Sequence, residues 1–304
     1  MMHVATTREE LAEARSSLQG TVSFVPTMGA LHAGHRSLLV RGRDLADHVA
    51  VSVFVNPLQF APNEDLERYP RTREADLAMC AEEGVALVFM PSREVMYPTE
   101  PVVRVSAGPI GERFEGASRP GHFDGVLTAV AKLFGLLQPD VAVFSRKDAQ
   151  QLALLKRMVA DLDLGVRIDA APFVRDADGL ALSSRNRYLS SAQRVSALGL
   201  PSALAAAALE AEKGAPSQHI VNTARVVLES TDGIEVDYVA LVDPDEFTEI
   251  GITAGIGSAG SAGSAGALLI AAAWVGATRL IDNLAIAPRS GDGIDSSAPT
   301  AVKG

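Results

Sequence analysis

Residues 24–35 read Phe-Val-Pro-Thr-Met-Gly-Ala-Leu-His-Ala-Gly-His, an apolar strand followed by a glycine-containing turn and the start of a helix. His32 and His35 are three residues apart, so both imidazoles face the same side of the helix entrance. Backbone N–H groups at such an entrance attract phosphate, and glycines let a polyphosphate approach the turn closely. The stretch therefore predicts chemistry on a nucleotide phosphate.

The composition indicates a globular protein. The 304 residues are 47% apolar and 21% charged, which is enough to bury one or two cores. A formal net charge of -10 argues against extended binding to nucleic acid or to an anionic membrane. The single cysteine, Cys80, allows no internal disulfide and suits a reducing compartment, so we expect it to be packed in a helix. No apolar run is long enough to span a membrane, and residues 1–10 show no secretory signal; we expect a cytoplasmic protein.

Apolar runs alternate with helical patterns in the first half of the chain. The predicted strands are 22–26, 48–55, 85–90, 141–144 and 166–174, and the predicted helices are 38–46, 72–83, 123–137 and 149–162. This alternation is typical of an α/β fold with a Rossmann-like parallel sheet and helices on both faces. Ligands of such sheets bind beyond the carboxyl ends of the strands. Three polar segments, 27–35, 56–59 and 145–151, follow predicted strands and should meet in one cleft.

The pattern changes after about residue 174. Two alanine-rich helices are predicted at 192–212 and 218–230, and two strands at 236–242 and 267–273. We therefore expect residues 1–173 to form a Rossmann-like domain that contains the ligand cleft. Residues 174–304 should form a smaller C-terminal α+β domain.

Two segments of this second part have no side chains suited to packing. The Gly-Ser-Ala repeat 257–266 is expected to be a flexible loop, and the tail after Pro288 is expected to be loose. Residues 255–260 formally match the dinucleotide fingerprint G-x-G-x-x-G. No βαβ unit surrounds that match, so it does not indicate NAD binding.

Six blocks in chain order carry a family resemblance: 26–35, 51–60, 68–72, 115–123, 147–151 and 178–189. Together they resemble the pantothenate synthetase (pantoate–β-alanine ligase) family of the nucleotidyl-transferase superfamily. The resemblance implies an ATP-dependent ligase that works in two steps. The pantoate carboxylate attacks the α-phosphate of ATP, which gives pantoyl adenylate and pyrophosphate. The β-alanine amine then attacks the adenylate, which gives pantothenate and AMP.

The resemblance also implies that the domain 1–173 binds ATP and pantoate, and it implies an ATP site. In it His35 is catalytic, His32 supports it, Lys147 clamps a phosphate and Val174 touches adenine. The implied ATP-contacting residues are Met28, Gly29, His32, Gly34, His35, Ser145, Arg146, Lys147, Asp148, Val174, Leu182, Ser183, Ser184 and Arg185. Ser145, Arg146 and Ala149 depart from the usual family pattern, which leaves the fit of the nucleotide open there.

Each assignment has a structural alternative. The two histidines could be a helix cap and a packed ring, and Lys147 with Asp148 could be a solvated cap of the next helix. The segment 182–185 could serve only in hydrogen bonding between domains.

The resemblance extends to the other ligands. It implies that Gln59 contacts pantoate and β-alanine and that Gln151 contacts pantoate, whereas either could be an ordinary loop glutamine. Arg119 and His122 either line the cleft or only shape it. Mg²⁺ is expected with ATP, with Asp76 as its tentative ligand; a surface helix aspartate explains Asp76 equally well. A homodimer is also implied, with no nucleic acid or membrane partner.

Two other functions stay open at this point. Another adenylyl or cytidylyl transferase of the superfamily would share the H-x-G-H segment, and the blocks around Gln59 and Gln151 favour pantoate over other acceptors. A non-catalytic nucleotide sensor would keep the fold but would not need His35, Lys147 and Arg185 together.

Overall fold

The computed structural model describes residues 2–62, 64–251 and 266–287. Across these ranges, no helix is both long enough and apolar enough to cross a membrane. The predicted flexible loop 257–266, apart from Gly266, and the predicted loose tail lie outside the described residues. The rejected fingerprint at 255–260 lies outside them as well.

The first part of the chain alternates strands and helices. Its elements are β1 (His3–Ala5), α1 (Arg8–Ser17), β2 (Val22–Thr27), α2 (Ala33–Leu45), β3 (His48–Val53), α3 (Arg73–Glu82), β4 (Leu87–Phe89), α4 (Arg93–Met96), α5 (Glu115–Ser118), α6 (His122–Leu137), β5 (Val141–Ser145), α7 (Ala149–Asp161) and β6 (Arg167–Ala171). Short 3₁₀ helices lie at Pro57–Gln59, Gly108–Glu112 and Ser184–Tyr188.

The six strands form one parallel sheet in the order β1-β4-β3-β2-β5-β6. From β2 the chain moves outward through β3 to β4, and it later returns to pair β5 with the other edge of β2. This reversal creates a topological switch point between β2 and β5, where open α/β sheets bind their ligands. The segments that follow β2 and β5 are two of the three that were predicted to contact ATP; the third is 182–185.

Alternate residues of the strands bury opposite faces of the sheet. Phe24 of β2 belongs to a core that includes Leu11 of α1 and Phe134 of α6. Its neighbour Val25 belongs to a second core with Leu39 of α2 and Cys80 of α3. Helices therefore cover both faces, which confirms the predicted fold class and shows Cys80 buried in a helix.

The first two elements, β1 and α1, were not predicted. β1 has only three residues, too few for a hydrophobic period, and it pairs with β4 at the sheet edge. α1 begins with a capping box in which the Thr7 side chain accepts from the Glu10 N–H. The spacing Thr7-x-x-Glu10 is a helix-start signal that could have located this helix.

The second part of the chain packs helices on a separate antiparallel sheet. Its elements are α8 (Ser191–Ala197), α9 (Gly199–Glu212), α10 (Ser217–Glu229), β7 (Ile234–Val242), β8 (Ala267–Val275) and β9 (Thr278–Ile286). The sheet order is β7-β8-β9, and α9 and α10 bury Leu204 and Ile220 against it. The two sheets support the predicted division of the chain, whereas the boundary at residue 173 stays a prediction.

Two features of this second part differ from the sequence prediction. A continuous helix over 192–212 is wrong, because α8 and α9 are separate helices that meet at Leu198. Pro201 cannot donate the N–H that would join the two segments, and its ring disfavours a continuous helix. β9 was not predicted as a strand. It follows β8 through a two-residue turn in which Gly276 adopts a φ of 60°.

The two parts of the chain contact each other through apolar and ionic groups. Ala153 of α7 packs in a cluster with Phe247 and with Ile270 of β8. Nearby, the Arg279 guanidinium of β9 donates two hydrogen bonds, of 2.7 and 2.6 Å, to the Glu115 carboxylate of α5. The smaller sheet is thereby fixed beside the carboxyl edge of the larger one.

Gly125 of α6 packs directly against the 3₁₀ helix that carries Gln59, so a substitution there tests this contact. A Cβ there would lie 2.1 Å from the Leu58 carbonyl oxygen, so Gly125→Ala must displace the 3₁₀ helix that carries Gln59. We expect a loss of about 2 kcal/mol or more in the free energy of unfolding, measured by urea denaturation.

Gly135, on the same helix, is the matched control. A Cβ there would meet nothing within 4 Å, so Gly135→Ala should stabilise the protein by about 0.5–1 kcal/mol through helix propensity. Equal stability changes in the two variants would contradict the close helix contact.

Candidate active site

The turn between β2 and α2 is held by a buried carboxylate. Asp76, on α3, is 2% exposed and accepts the N–H groups of Ala30 at 3.1 Å and Leu31 at 2.8 Å. The turn needs left-handed backbone at Gly29 (φ 84°) and Ala30 (φ 51°). A Cβ on Gly29 would come within 2.9 Å of Val53 Cγ1 and 3.0 Å of the Asp76 carboxylate. Glycine is therefore required here both by conformation and by space.

His32 and His35 bond reciprocally with the backbone at the start of α2. His32 Nδ1 accepts from the Gly34 N–H at 3.1 Å, and His35 Nδ1 accepts from the His32 N–H at 3.3 Å. The ring centroids lie 4.2 Å apart. Because each Nδ1 is an acceptor, the neutral imidazoles carry their proton on Nε2. The two histidines therefore cap the helix, as the structural alternative predicted, and each keeps an Nε2–H donor for a further partner.

Burial keeps both imidazoles neutral at physiological pH. Desolvation is the main cause that lowers the pKa of His32 to about 4, and the Lys147 ammonium lowers it further. Desolvation and the neighbouring His32 lower the pKa of His35 to about 3. The two residues therefore offer hydrogen-bond donors without adding a positive charge to the site.

Lys147 lies in the turn that follows β5. Its N–H donates to Ser145 Oγ at 3.1 Å, which tightens the turn. Its side chain is 15% exposed, and its Nζ lies 3.7 Å from the Asp148 carboxylate, beyond hydrogen-bonding distance. The ammonium therefore keeps donors for an anion in the cleft.

The segment from Val174 to Arg185 brings hydroxyl and guanidinium groups to the same cleft. The Leu182 N–H donates to the Val174 carbonyl at 3.0 Å, which places the two ends of the segment side by side. Ser183 Oγ accepts from the Arg185 N–H and starts the 3₁₀ helix. The Arg185 guanidinium donates to the Asp65 carboxylate at 3.1 Å, so the cation is held by the loop after β3.

Gln59 is held from both sides. Its Oε1 accepts from Asn56 Nδ2 at 3.0 Å, and its amide lies 3.2 Å from Met28 Sδ. Its backbone carbonyl accepts from His122 Nδ1 at 2.8 Å, while Arg119 donates to His122 Nε2 at 2.9 Å. Burial lowers the pKa of His122 to about 4, in keeping with this neutral arrangement. Arg119 and His122 shape the support of Gln59 and also line the cleft.

Two connected spaces lie at the switch point. The inner cavity, of about 240 Å³, opens between β2, β5 and the 174–185 segment. The outer cleft, of about 660 Å³, lies between the larger sheet and the smaller one and shares Lys147, Gln151 and Arg185 with the inner cavity. The sequence-predicted residues that line the inner cavity are Met28, His32, Gly34, His35, Gln59, Ser145, Lys147, Asp148, Gln151, Val174, Leu182, Ser183, Ser184 and Arg185.

Three predicted site residues do not line either space. Gly29 forms the turn, and Asp76 supports it from behind. The Arg146 side chain is exposed and donates to the Ala170 carbonyl at 3.0 Å, away from the other cations. The ligand-binding roles predicted for these residues stay predictions, and their observed contacts are structural.

Asp76 does not belong to a larger group of metal-binding side chains among the described residues. Both Asp76 oxygens are used, since Thr72 Oγ1 also donates to that carboxylate at 3.0 Å. Within residues 2–62, 64–251 and 266–287, no three His, Cys, Asp or Glu side chains are grouped so that they could hold a metal ion.

Sequence reasoning missed several supporting residues. Asn56 accepts from the Tyr97 hydroxyl at 2.9 Å and donates to the Gly125 carbonyl. Asp65 pairs with Arg185, and Asn283 of β9 donates to two carbonyls of the Lys147 turn. Asn56 lies inside a family-like block and could have been singled out. Asp65 and Asn283 act across distant parts of the chain, which no local pattern reveals.

Comparisons with known proteins agree with this geometry. A family profile described as Pantoate-beta-alanine ligase matches residues 1–285. The pantothenate synthetase of Acidothermus cellulolyticus is 61% identical over 281 residues, which are 92% of this chain and 90% of that protein.

Solved structures with the same fold belong to the same family. The crystal structure of pantothenate synthetase from Thermus thermophilus has a TM-score of 0.86 and 44% identity, and covers 94% of this chain and 100% of that one. The Francisella tularensis pantoate-beta-alanine ligase, solved in complex with beta-gamma ATP and beta-alanine, has a TM-score of 0.75 and 31% identity. That alignment covers 94% of this chain and 98% of the Francisella chain.

Fold and site together define a nucleotide-binding α/β enzyme with its cations at the switch point of a parallel sheet. The profile match over residues 1–285 and the 61% identity to the Acidothermus protein make the class more specific. This chain belongs to the pantoate–β-alanine ligase family, that is, to the pantothenate synthetases.

The two imidazoles give a pH prediction. Because the pKa values of His32 and His35 are lowered to about 4 and 3, the unfolded chain binds protons near pH 6.5 that the folded chain does not bind. Protonation of these histidines in the unfolded chain lowers the free energy of unfolding. That free energy should therefore be highest above pH 6.5 and should fall as the pH drops towards 4. Urea unfolding at successive pH values, with NMR titration of the ring protons, measures this. If either ring titrates near pH 6.5 in the folded protein, that histidine does not contribute to the pH dependence of stability.

Proposed function

We propose that this protein condenses pantoate with β-alanine at the expense of ATP, through a pantoyl adenylate. The observation that carries the proposal is the inner cavity, where two neutral imidazoles, an ammonium and a guanidinium converge beside two glutamine amides. The family membership and the Francisella relative bound to ATP and β-alanine support it. Other nucleotidyl transferases need the cations but not this pair of amides.

In the first step, the cations neutralise charge on the phosphates of ATP. The pantoate carboxylate attacks the α-phosphorus, the bond to the bridging oxygen breaks, and pyrophosphate leaves with that electron pair. His32 and His35 donate from Nε2–H, while Lys147 and Arg185 supply positive charge. Such preorganised donors stabilise the charge that grows on the leaving group, and no protein nucleophile is required.

Pantoate is proposed to occupy the part of the inner cavity lined by Val130 and Leu133 of α6, the helix that packs against the 3₁₀ helix of Gln59. These apolar side chains suit its two methyl groups, and the amides of Gln59 and Gln151 suit its hydroxyls and carboxylate. Gln59 lies next to Met28, so it faces both the substrate and the phosphate-binding turn. This position is consistent with contacts to pantoate and to β-alanine.

In the second step, β-alanine enters from the outer cleft. Its neutral amine attacks the acyl carbon of the adenylate, the acyl–oxygen bond breaks, AMP leaves with that electron pair, and the amine proton passes to water. Both ring nitrogens of His122 are engaged by hydrogen bonds, which makes it a support of Gln59 and not a free base. The same cations that bind pyrophosphate in the first step stabilise the departing AMP phosphate.

Three further features of the proposal follow from the family resemblance. Mg²⁺ is proposed to arrive with the ATP phosphates, because the described residues offer no group of ligands for it. The protein is proposed to be a cytoplasmic homodimer.

The direct test is a product assay in which ATP, pantoate or β-alanine is omitted in turn. We expect pyrophosphate to form only when ATP and pantoate are both present, and pantothenate to form only when β-alanine is added. Nucleotide binding without pyrophosphate release would instead indicate a sensor. Pyrophosphate release with another acid or phosphate acceptor, and not with pantoate, would indicate a different transferase of the superfamily.

His35→Ala and Lys147→Ala should each slow pantoate-dependent pyrophosphate release by about a hundredfold or more, since each removes one preorganised donor. His219 and Lys156 are exposed residues that line neither the inner cavity nor the outer cleft, and their alanine variants are the controls. The controls should retain normal rates. Near-normal turnover of His35→Ala or Lys147→Ala would exclude that residue from the mechanism.

A further inference from the structure

Two adjacent residues of β9 reach the two loops of the proposed ATP site. Asp282 is 2% exposed and Asn283 is 6% exposed, although neighbouring strand residues point to opposite faces. Polar side chains buried on both faces of a strand require partners on both sides. Their partners lie in the Lys147 turn and in the segment that begins at Val174.

Asn283 binds the backbone of the Lys147 turn. Its Nδ2 donates to the Arg146 carbonyl at 3.1 Å and to the Lys147 carbonyl at 2.8 Å. Since both partners are acceptors, the orientation of the amide is unambiguous. The two bonds fix two successive peptide groups and so limit the directions from which the Lys147 ammonium can enter the cavity.

Asp282 binds the other loop. Its carboxylate accepts two hydrogen bonds, of 2.7 and 2.8 Å, from the Arg175 guanidinium. Arg175 also donates to the Gly179 carbonyl, and its backbone bridges to Ala181. Asp282 Oδ1 further accepts the Asn283 N–H at 2.7 Å, which ties the two side chains together. The segment that carries Val174 and Ser183 is therefore anchored to the same point of β9.

We propose that Asn283, tied to Asp282, is a positioning residue that sets the Lys147 turn relative to the 174–185 segment for ATP binding. The proposal rests on the proposed function, because it assigns these loops to ATP. Pantoate is proposed to lie between Gln59, on β3's side of the cavity, and Gln151, which lies inside α7. The bonds from Asn283 reach the Arg146 and Lys147 carbonyls and contact neither glutamine. Loss of the Asn283 side chain should therefore weaken the binding of ATP and leave the binding of pantoate unchanged.

The test is Asn283→Leu, which keeps the size of the side chain and removes both donors. We expect the KM for ATP to rise and kcat/KM for ATP to fall by about ten- to thirtyfold, as the loss of two hydrogen bonds implies. The KM for pantoate should stay within about twofold of the wild-type value. Calorimetric titration with ATP alone should show the same weakening without any turnover.

Asn283→Asp provides a second variant of nearly equal shape that cannot donate, and it should show the same ATP defect. Asn222→Leu, on an exposed face of α10, is the matched control and should be unchanged. Unaltered ATP affinity in either Asn283 variant, or an equal loss of ATP and pantoate affinity, overturns the inference. A wild-type protein that binds ATP but releases no pyrophosphate with pantoate overturns the proposed function instead, and the ATP titrations still decide the role of Asn283.

Discussion

The Asp76 carboxylate accepts the N–H groups of Ala30 and Leu31, and this contact determines the shape of the turn between β2 and α2. Two left-handed residues make the turn tight, and the carboxylate satisfies donors that would otherwise be buried without partners. α2 then begins at Ala33, with the His32 and His35 rings bonded into its first turn. The direction of both Nε2–H groups depends on this arrangement.

The sheet topology brings the remaining groups to the turn. β2 and β5 are neighbours because the chain reverses its order between them, so segments more than a hundred residues apart end at one edge. Lys147 lies in the turn that follows β5, and Arg185 lies in the connection to the smaller part of the chain. Neutral imidazoles next to two cations suit a highly charged ligand, since the site adds donors without additional repulsion among its own groups.

The sequence allowed correct predictions where the structure is determined by residues close together in the chain. Alternating apolar runs gave the parallel strands with small errors at their ends, and the spacing of His32 and His35 placed them at a helix start. Pro201 was visible in the sequence, yet the alanine-rich pattern concealed the break that it causes. β1 was too short to show a period.

Contacts between distant residues had no such signal. An acidic residue on α3 could equally be a metal ligand, a surface residue or a support for a turn, and only the structure shows which backbone groups Asp76 contacts. Asn283 binds main-chain carbonyls, which every residue possesses, so the sequence of the partner segment carries no trace of the contact. The same property bears on Arg146, whose carbonyl is bound while its side chain is exposed. Recognition through a peptide oxygen leaves that side chain free to vary during evolution while the path of the backbone is preserved.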